Sequence, residues 1–221
     1  PHVEEEYRDL PWEFTMLNSD VVNAFALPGG QVFVSRGLAS RLGDEAELAG
    51  VVGHEMGHVT AEHVDRRMGR QMIIAGFALG VSAAASESEL QWAQAAASVA
   101  VTGAGVYSLS FDRAQELEAD FLGMRYMSRA SYDPSALAGV MQALQSASGG
   151  AQTLEIFSTH PHPETRIDAI RDQLNREPYR GMTDDPDYTR RSDVYQRRML
   201  SPLAALPASP DSSLAALAPE Q

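Results

Sequence analysis

The segment His54-Glu55-Met56-Gly57-His58 carries the sharpest chemistry in the sequence. Residues four apart on a helix lie about 40° apart around its axis and about 6 Å along it, so His54 and His58 can each aim one imidazole nitrogen at a common ion. Glu55, about 100° round the axis, reaches a water beside the ion rather than the ion itself. A catalytic zinc takes three protein ligands and keeps a fourth position open, so a third ligand is owed. With no cysteine in the chain, it must be histidine or carboxylate. The run from Arg113 to Asp120 offers one on a later helix, with Glu116 and Asp120 four apart on one face. Glu116 can bind the metal while Asp120 accepts the outer N–H of a ligating histidine and fixes its tautomer. Taken alone this pair reads as a solvated helix face, and only the missing ligand draws it to the site.

Other polar residues have plainer readings. Glu118 points about 200° away from Glu116, toward solvent. His63, five positions after His58, falls off the metal face and reads as a surface histidine, as do His2 and His162. Arg166 reads as a surface charge. His160 heads a rigid loop, Thr159-His160-Pro161-His162-Pro163, in which the prolines remove donors and restrict their neighbours. It divides evenly between an ordinary loop histidine and a functional one.

The elements that must position these residues are legible independently. Asp44 with Glu47 three residues on is a capping-box-like helix start, and Leu48, Val51, Val52, Met56 and Val59 follow at helical spacing. Ahead of that helix, Trp12 to Leu17, Val21 to Leu27 and Gln31 to Ser35 are strand-like. Asn18-Ser19-Asp20 and Pro28-Gly29-Gly30 supply turn chemistry between them, which predicts a small antiparallel sheet leading into the metal helix. Met72 to Tyr107 is helical in composition with a polar break at Ser86-Glu87-Ser88-Glu89, and predicts a helical pair or a mobile lid. Its apolar run falls short of the ~20 residues that a spanning helix needs. Further helices are expected from Phe111 to Arg129, Pro134 to Ser146 and Glu164 to Asn175. The fold class is α+β, mainly helical, with one domain over 1–178 and a C-terminal extension or linker, partly ordered, over 179–221.

A formal net charge of −13 argues against nucleic acid and anionic membrane surfaces as partners, since both are bound by clustered Lys and Arg. The chain starts at Pro1 without a basic-then-apolar leader and is expected to be a processed or trimmed form of something longer.

These pieces resemble the zinc metallopeptidase family that includes the CAAX prenyl proteases, the HtpX-like proteases and the Oma-like and BepA-like proteins of cell envelopes. The likeness rests on Asn23-Ala24-Phe25-Ala26-Leu27-Pro28-Gly29-Gly30, Val34-Ser35-Arg36-Gly37-Leu38, the His54 to His58 motif, Glu116-Leu117-Glu118-Ala119-Asp120, and Ser158-Thr159-His160-Pro161 with Arg166. The resemblance implies a zincin catalytic domain of the gluzincin type with one Zn2+ per chain. His54, His58 and Glu116 would be its ligands, Glu55 the catalytic base and Asp120 a support of the ligand shell. It implies a strand, here Gln31, Val32, Phe33, Val34 and Ser35, whose edge pairs with extended protein or peptide substrate. It also implies that His160 can fill the open zinc position and hold the enzyme at rest, in a cell-envelope setting that is periplasmic or membrane-associated. The expected function is a zinc metalloendopeptidase acting on unfolded or extended segments. The alternatives are a catalytically silent zinc-containing binding or chaperone-like protein, and a purely structural zinc site.

Overall fold

The computed structural model describes residues 2–67, 69, 111–147 and 154–209. The helical pair or lid expected between Met72 and Tyr107 lies outside the described residues. Among them the chain is mainly helical, with one three-stranded sheet made of β1 (Glu13–Leu17), β2 (Ala24–Leu27) and β3 (Gln31–Ser35) in the order β1-β3-β2. β2 and β3 form a hairpin with Ala24 opposite Val34 and Leu27 opposite Gln31. Its turn holds Gly29 and Gly30 at φ +97° and +99°, a region glycine enters without steric cost. β1 runs parallel to β3, Glu13 opposite Gln31.

The sheet is therefore mixed rather than antiparallel. β1 and β2 do run in opposite directions, as their short connection demands, but β3 inserts between them. The same insertion corrects the role expected of Gln31 to Ser35. This strand is the middle one, its backbone groups are shared between β1 and β2, and it offers no edge to a substrate. Val32 and Val34 are buried against the helices, while Phe33 on the opposite face stacks on Phe25 with ring centroids 4.9 Å apart, the period-2 alternation of a strand.

Ser35 ends β3 and caps α1 (Arg36–Ala39), its hydroxyl accepting from the Leu38 N–H. The metal helix, α2 (Glu45–Thr60), starts where Asp44 accepts from the Glu47 N–H at 2.8 Å. The Glu47 carboxylate reaches back to the Gly43 N–H instead of closing a full box. A complete capping box, Asp112 with Gln115, opens α3 (Arg113–Arg129). α2 and α3 make the most extensive helix contact. They meet where side chains are missing: a Cβ on Gly57 would lie 2.8 Å from the Ala119 carbonyl oxygen, and one on Gly123 would lie 3.0 Å from the His54 nitrogen.

α4 (Ala136–Ala147) packs on α2 and on α6 (Pro163–Leu174), with the short α5 (Glu155–Thr159) between them in sequence. Thr159, expected in a loop, thus ends a helix, with His160 as its C-cap. Among the described residues the core falls into three groups, around Leu38, Leu42, Val51 and Leu144, around Met124, Met127, Leu137 and Ile170, and around Val3, Val32, Met56 and Tyr126.

Beyond Pro178 the chain is no free linker as far as Ser209. The Ala46 N–H donates to the Arg190 carbonyl, and the Arg190 guanidinium lies 3.0 Å from Asp44. Tyr195 is buried and donates its hydroxyl to the Ala39 carbonyl at 2.7 Å, and Arg36 donates to the Pro207 carbonyl at 2.6 Å. Apolar residues spaced through a polar stretch escape a compositional reading, yet Tyr195, with Met199, Leu200 and Leu203 beside it, packs the segment into the core near α1.

Candidate metal centre

α2 presents His54 and His58 one turn apart, and their Nε2 atoms approach to 3.0 Å. Gly53 and Gly57 let α3 come close enough for Glu116 to join them, with Oε1 3.4 Å from His58 Nε2 and Oε2 3.6 Å from His54 Nε2. The fourth member arrives from the cap of α5. His160 places Nδ1 3.2 Å from His54 Nε2 and 3.1 Å from Glu116 Oε1. Its backbone is pinned by its own N–H to the Ile156 carbonyl, by the Ile156 N–H to the Val22 carbonyl, and by the Phe111 N–H to the Thr159 carbonyl. All four side chains are buried, and one ligand atom from each lies within 4.8 Å of the others.

The donor chemistry fits a metal cation here. His54 Nδ1 is 2.9 Å from Asp120 Oδ1, and a carboxylate can only accept, so Nδ1 carries the proton and Nε2 shows a bare lone pair. That lone pair faces His58 Nε2 and the Glu116 carboxylate, whose Oε2 also pairs with the Arg166 guanidinium. Lone pairs converging in a buried site repel one another, and a metal ion among them would turn each into a ligand. Burial pushes the His58 imidazole well below the ordinary histidine range, keeping it neutral as a ligand must be. Burial works against the Glu116 carboxylate too, but the charges of His160 and Arg166 and the hydrogen bonds from His160 and His58 outweigh it and hold Glu116 well below the usual range.

Glu55 stands beside this set, buried, with Oε1 3.5 Å from His160 Nε2. His160 therefore touches a ligand with one nitrogen and the carboxylate expected to act as base with the other. Burial disfavours its charged form, yet Glu55 and Glu116 together raise its pKa.

Two readings from sequence need correction. Arg166 is no surface charge: it is buried, forks onto Asp120 through Nε at 2.8 Å and Nη2 at 2.6 Å, and pairs with Glu116 through Nη1. Two carboxylates aimed into one buried site demand a counter-charge, which is the signal that points to it. His63 is fully buried, with Nδ1 2.9 Å from His58 Nδ1. α2 stops at Thr60, and Glu62 takes a left-handed φ of +53° that breaks the helical register, so a helical wheel continued past residue 60 misplaces His63. Glu118 is half-exposed as expected but is not idle, since it accepts from His63 Nε2 at 3.1 Å. His2 and His162 make no approach to the four ligand atoms.

Residues 3–174 match the description of peptidase family M48. The chain belongs to that family. Among similar M48 relatives, the beta-barrel assembly-enhancing protease of Yersinia pestis is 34% identical over 170 residues, covering 75% of this chain and 35% of that protein. Its counterpart in Escherichia coli strain K12 is 34% identical over 171 residues, with the same shares covered. The mitochondrial metalloendopeptidase OMA1 of Schizosaccharomyces pombe is 32% identical over 173 residues, covering 75% of this chain and 48% of that protein. The matches thus take in between a third and a half of the length of these relatives. The M48 match ends near the close of α6, so the segment 179–209 that packs under α1 lies outside it.

Proposed function

We propose that this chain is a zinc-dependent endopeptidase of the gluzincin type, held at rest by His160, that cleaves extended or unfolded protein segments. The observation that carries this reading is the convergence of His54, His58 and Glu116, with Glu55 beside them, in a chain of peptidase family M48. Two imidazoles and a carboxylate favour zinc among the borderline divalent ions. When bound, zinc supplies Lewis acidity, which polarises the scissile carbonyl and lowers the pKa of water toward ~7.

The protein's own residues supply the rest. Glu55 accepts a proton from the attacking water at its carboxylate and hands it to the leaving amine nitrogen. Asp120 accepts the Nδ1–H of His54 and fixes its tautomer. Arg166 balances the buried charge of Asp120 and Glu116. His160, turned toward the ligands at Nδ1 and toward Glu55 at Nε2, fills the space that water and substrate need, and swings out in the working enzyme.

A small apolar pocket lined by Val51, Leu137, Val140, Leu144, Ile156 and Phe157 opens beside His54, Glu55 and His160. It suits an apolar side chain next to the scissile bond. Backbone pairing with substrate falls to a free sheet edge, and β2 is the edge strand that packs on α2. Similarity to bacterial proteases named for β-barrel assembly supports a cell-envelope setting, because such barrels reside in outer membranes. No helix among the described residues is long and apolar enough to cross a membrane.

Metal content by mass spectrometry, together with casein hydrolysis by the parent, Glu55→Gln and His160→Ala, tests the reading. The expected result is one zinc per chain in all three, highest activity in His160→Ala and none in Glu55→Gln. Zinc without activity in parent and His160→Ala alike would favour the zinc-containing binding protein instead.

A further inference from the structure

His63 is fully buried against a metal-site histidine, and no proton transfer in catalysis calls for it. We propose that His63 is a positioning residue for the metal, the middle of a His58–His63–Glu118 relay that fixes the tautomer and aim of one ligand as Asp120 fixes the other. The proposal rests on the metallopeptidase reading above.

The chemistry allows one arrangement of protons. An imidazole that binds a metal through Nε2 carries its hydrogen on Nδ1. His58 Nδ1 lies 2.9 Å from His63 Nδ1, so His63 must accept there with a lone pair. Its own hydrogen then sits on Nε2, which lies 3.1 Å from Glu118 Oε2, an atom that can only accept. The reverse assignment would aim a lone pair at a carboxylate and strip His58 of its metal-binding tautomer. Packing restrains the same ring, since Phe111 stacks on His58 at 3.8 Å between centroids and leaves its Nδ1 edge to His63.

The two ligand histidines are thus braced differently. His54 leans on Asp120, buried and paired with Arg166. His58 leans on a neutral ring whose far end meets a half-exposed carboxylate near Arg66. Partners of this kind are worth roughly 10–100-fold in metal affinity.

The test is zinc affinity by chelator competition, with the absorption bands of the cobalt-substituted protein as a readout of ligand geometry. His63→Leu is expected to lose roughly 10–100-fold in zinc affinity and to shift the cobalt bands. Glu118→Ala should lose less, and Glu118→Gln, whose side-chain carbonyl still accepts from Nε2–H, should recover most of that loss. Affinity within twofold of the parent and unchanged cobalt bands in His63→Leu would overturn the relay. If His63→Leu does not fold, Glu118→Ala against Glu118→Gln decides: equal affinities in both and in the parent overturn it, and loss with rescue upholds it. A parent that binds no zinc would sink the metallopeptidase reading along with the relay, whereas tight zinc in parent and variants alike would sink the relay alone.

Discussion

At Arg166 a single guanidinium answers two buried carboxylates, Asp120 and Glu116. Burial works against its charge, but those carboxylates more than compensate and raise its pKa. Removing one partner from such a cluster strands the others, at a cost of about 3–5 kcal/mol. Arg166→Met should therefore lower the stability of the metal-free protein by about that much in urea unfolding. Arg166→Lys, which restores the charge but not the two-pronged geometry, should fall between. A loss under about 1 kcal/mol for the Met variant would mean that the carboxylates are relieved another way. The convergence of His54, His58 and Glu116 was legible in the sequence because helical periodicity alone groups each pair and ligand count joins them. Arg166 and His63 were not, because their partners lie far along the chain or beyond an unsignalled helix end at Ala61 and Glu62.

At the scale of elements, α2 and the strands announced themselves through capping, periodicity and turn glycines. Pairing order did not, since nothing local tells β3 to enter between β1 and β2. α4 has a second task besides packing, because Leu137, Val140 and Leu144 line the apolar pocket beside Glu55. Filling that pocket should tax large substrate side chains more than small ones. Val140→Phe is expected to cut kcat/KM about tenfold for peptides with Leu next to the cleaved bond, and far less for peptides with Ala there. Equal losses for both, measured on paired synthetic peptides in the His160→Ala background, would remove the pocket from substrate recognition.

Both ends of the described molecule are tied to its middle. At the C-terminal side Tyr195 and Arg190 hold the segment that composition marked as an extension. At the N-terminal side Val3 is buried, and Glu4 accepts from the Tyr126 hydroxyl at 2.6 Å and the Arg125 guanidinium at 2.9 Å. Burial disfavours the Glu4 carboxylate, but these two donors outweigh it and lower its pKa. A carboxyl whose folded pKa is depressed contributes stability above its unfolded value of ~4.3, and loses it as pH falls through the lower folded value. Glu4→Gln should thus be less stable than the parent by about 1–2 kcal/mol at pH 7. The difference should close below about pH 4, as read from urea midpoints across pH. A gap that persists unchanged in acid would show that the carboxylate's charge contributes nothing.

The bare meeting of α2 and α3 at Gly53, Gly57 and Gly123 reaches beyond packing. Two ligands ride on one rail and the third on the other, and the gauge between the rails is set by main chain against main chain, where no side chain can flex to widen it. An ion of a different radius can be met only by turning rings and carboxylates within that fixed gauge. On the zinc-peptidase reading, discrimination among divalent ions would rest partly on the spacing of two helices, at residues that never touch the ion.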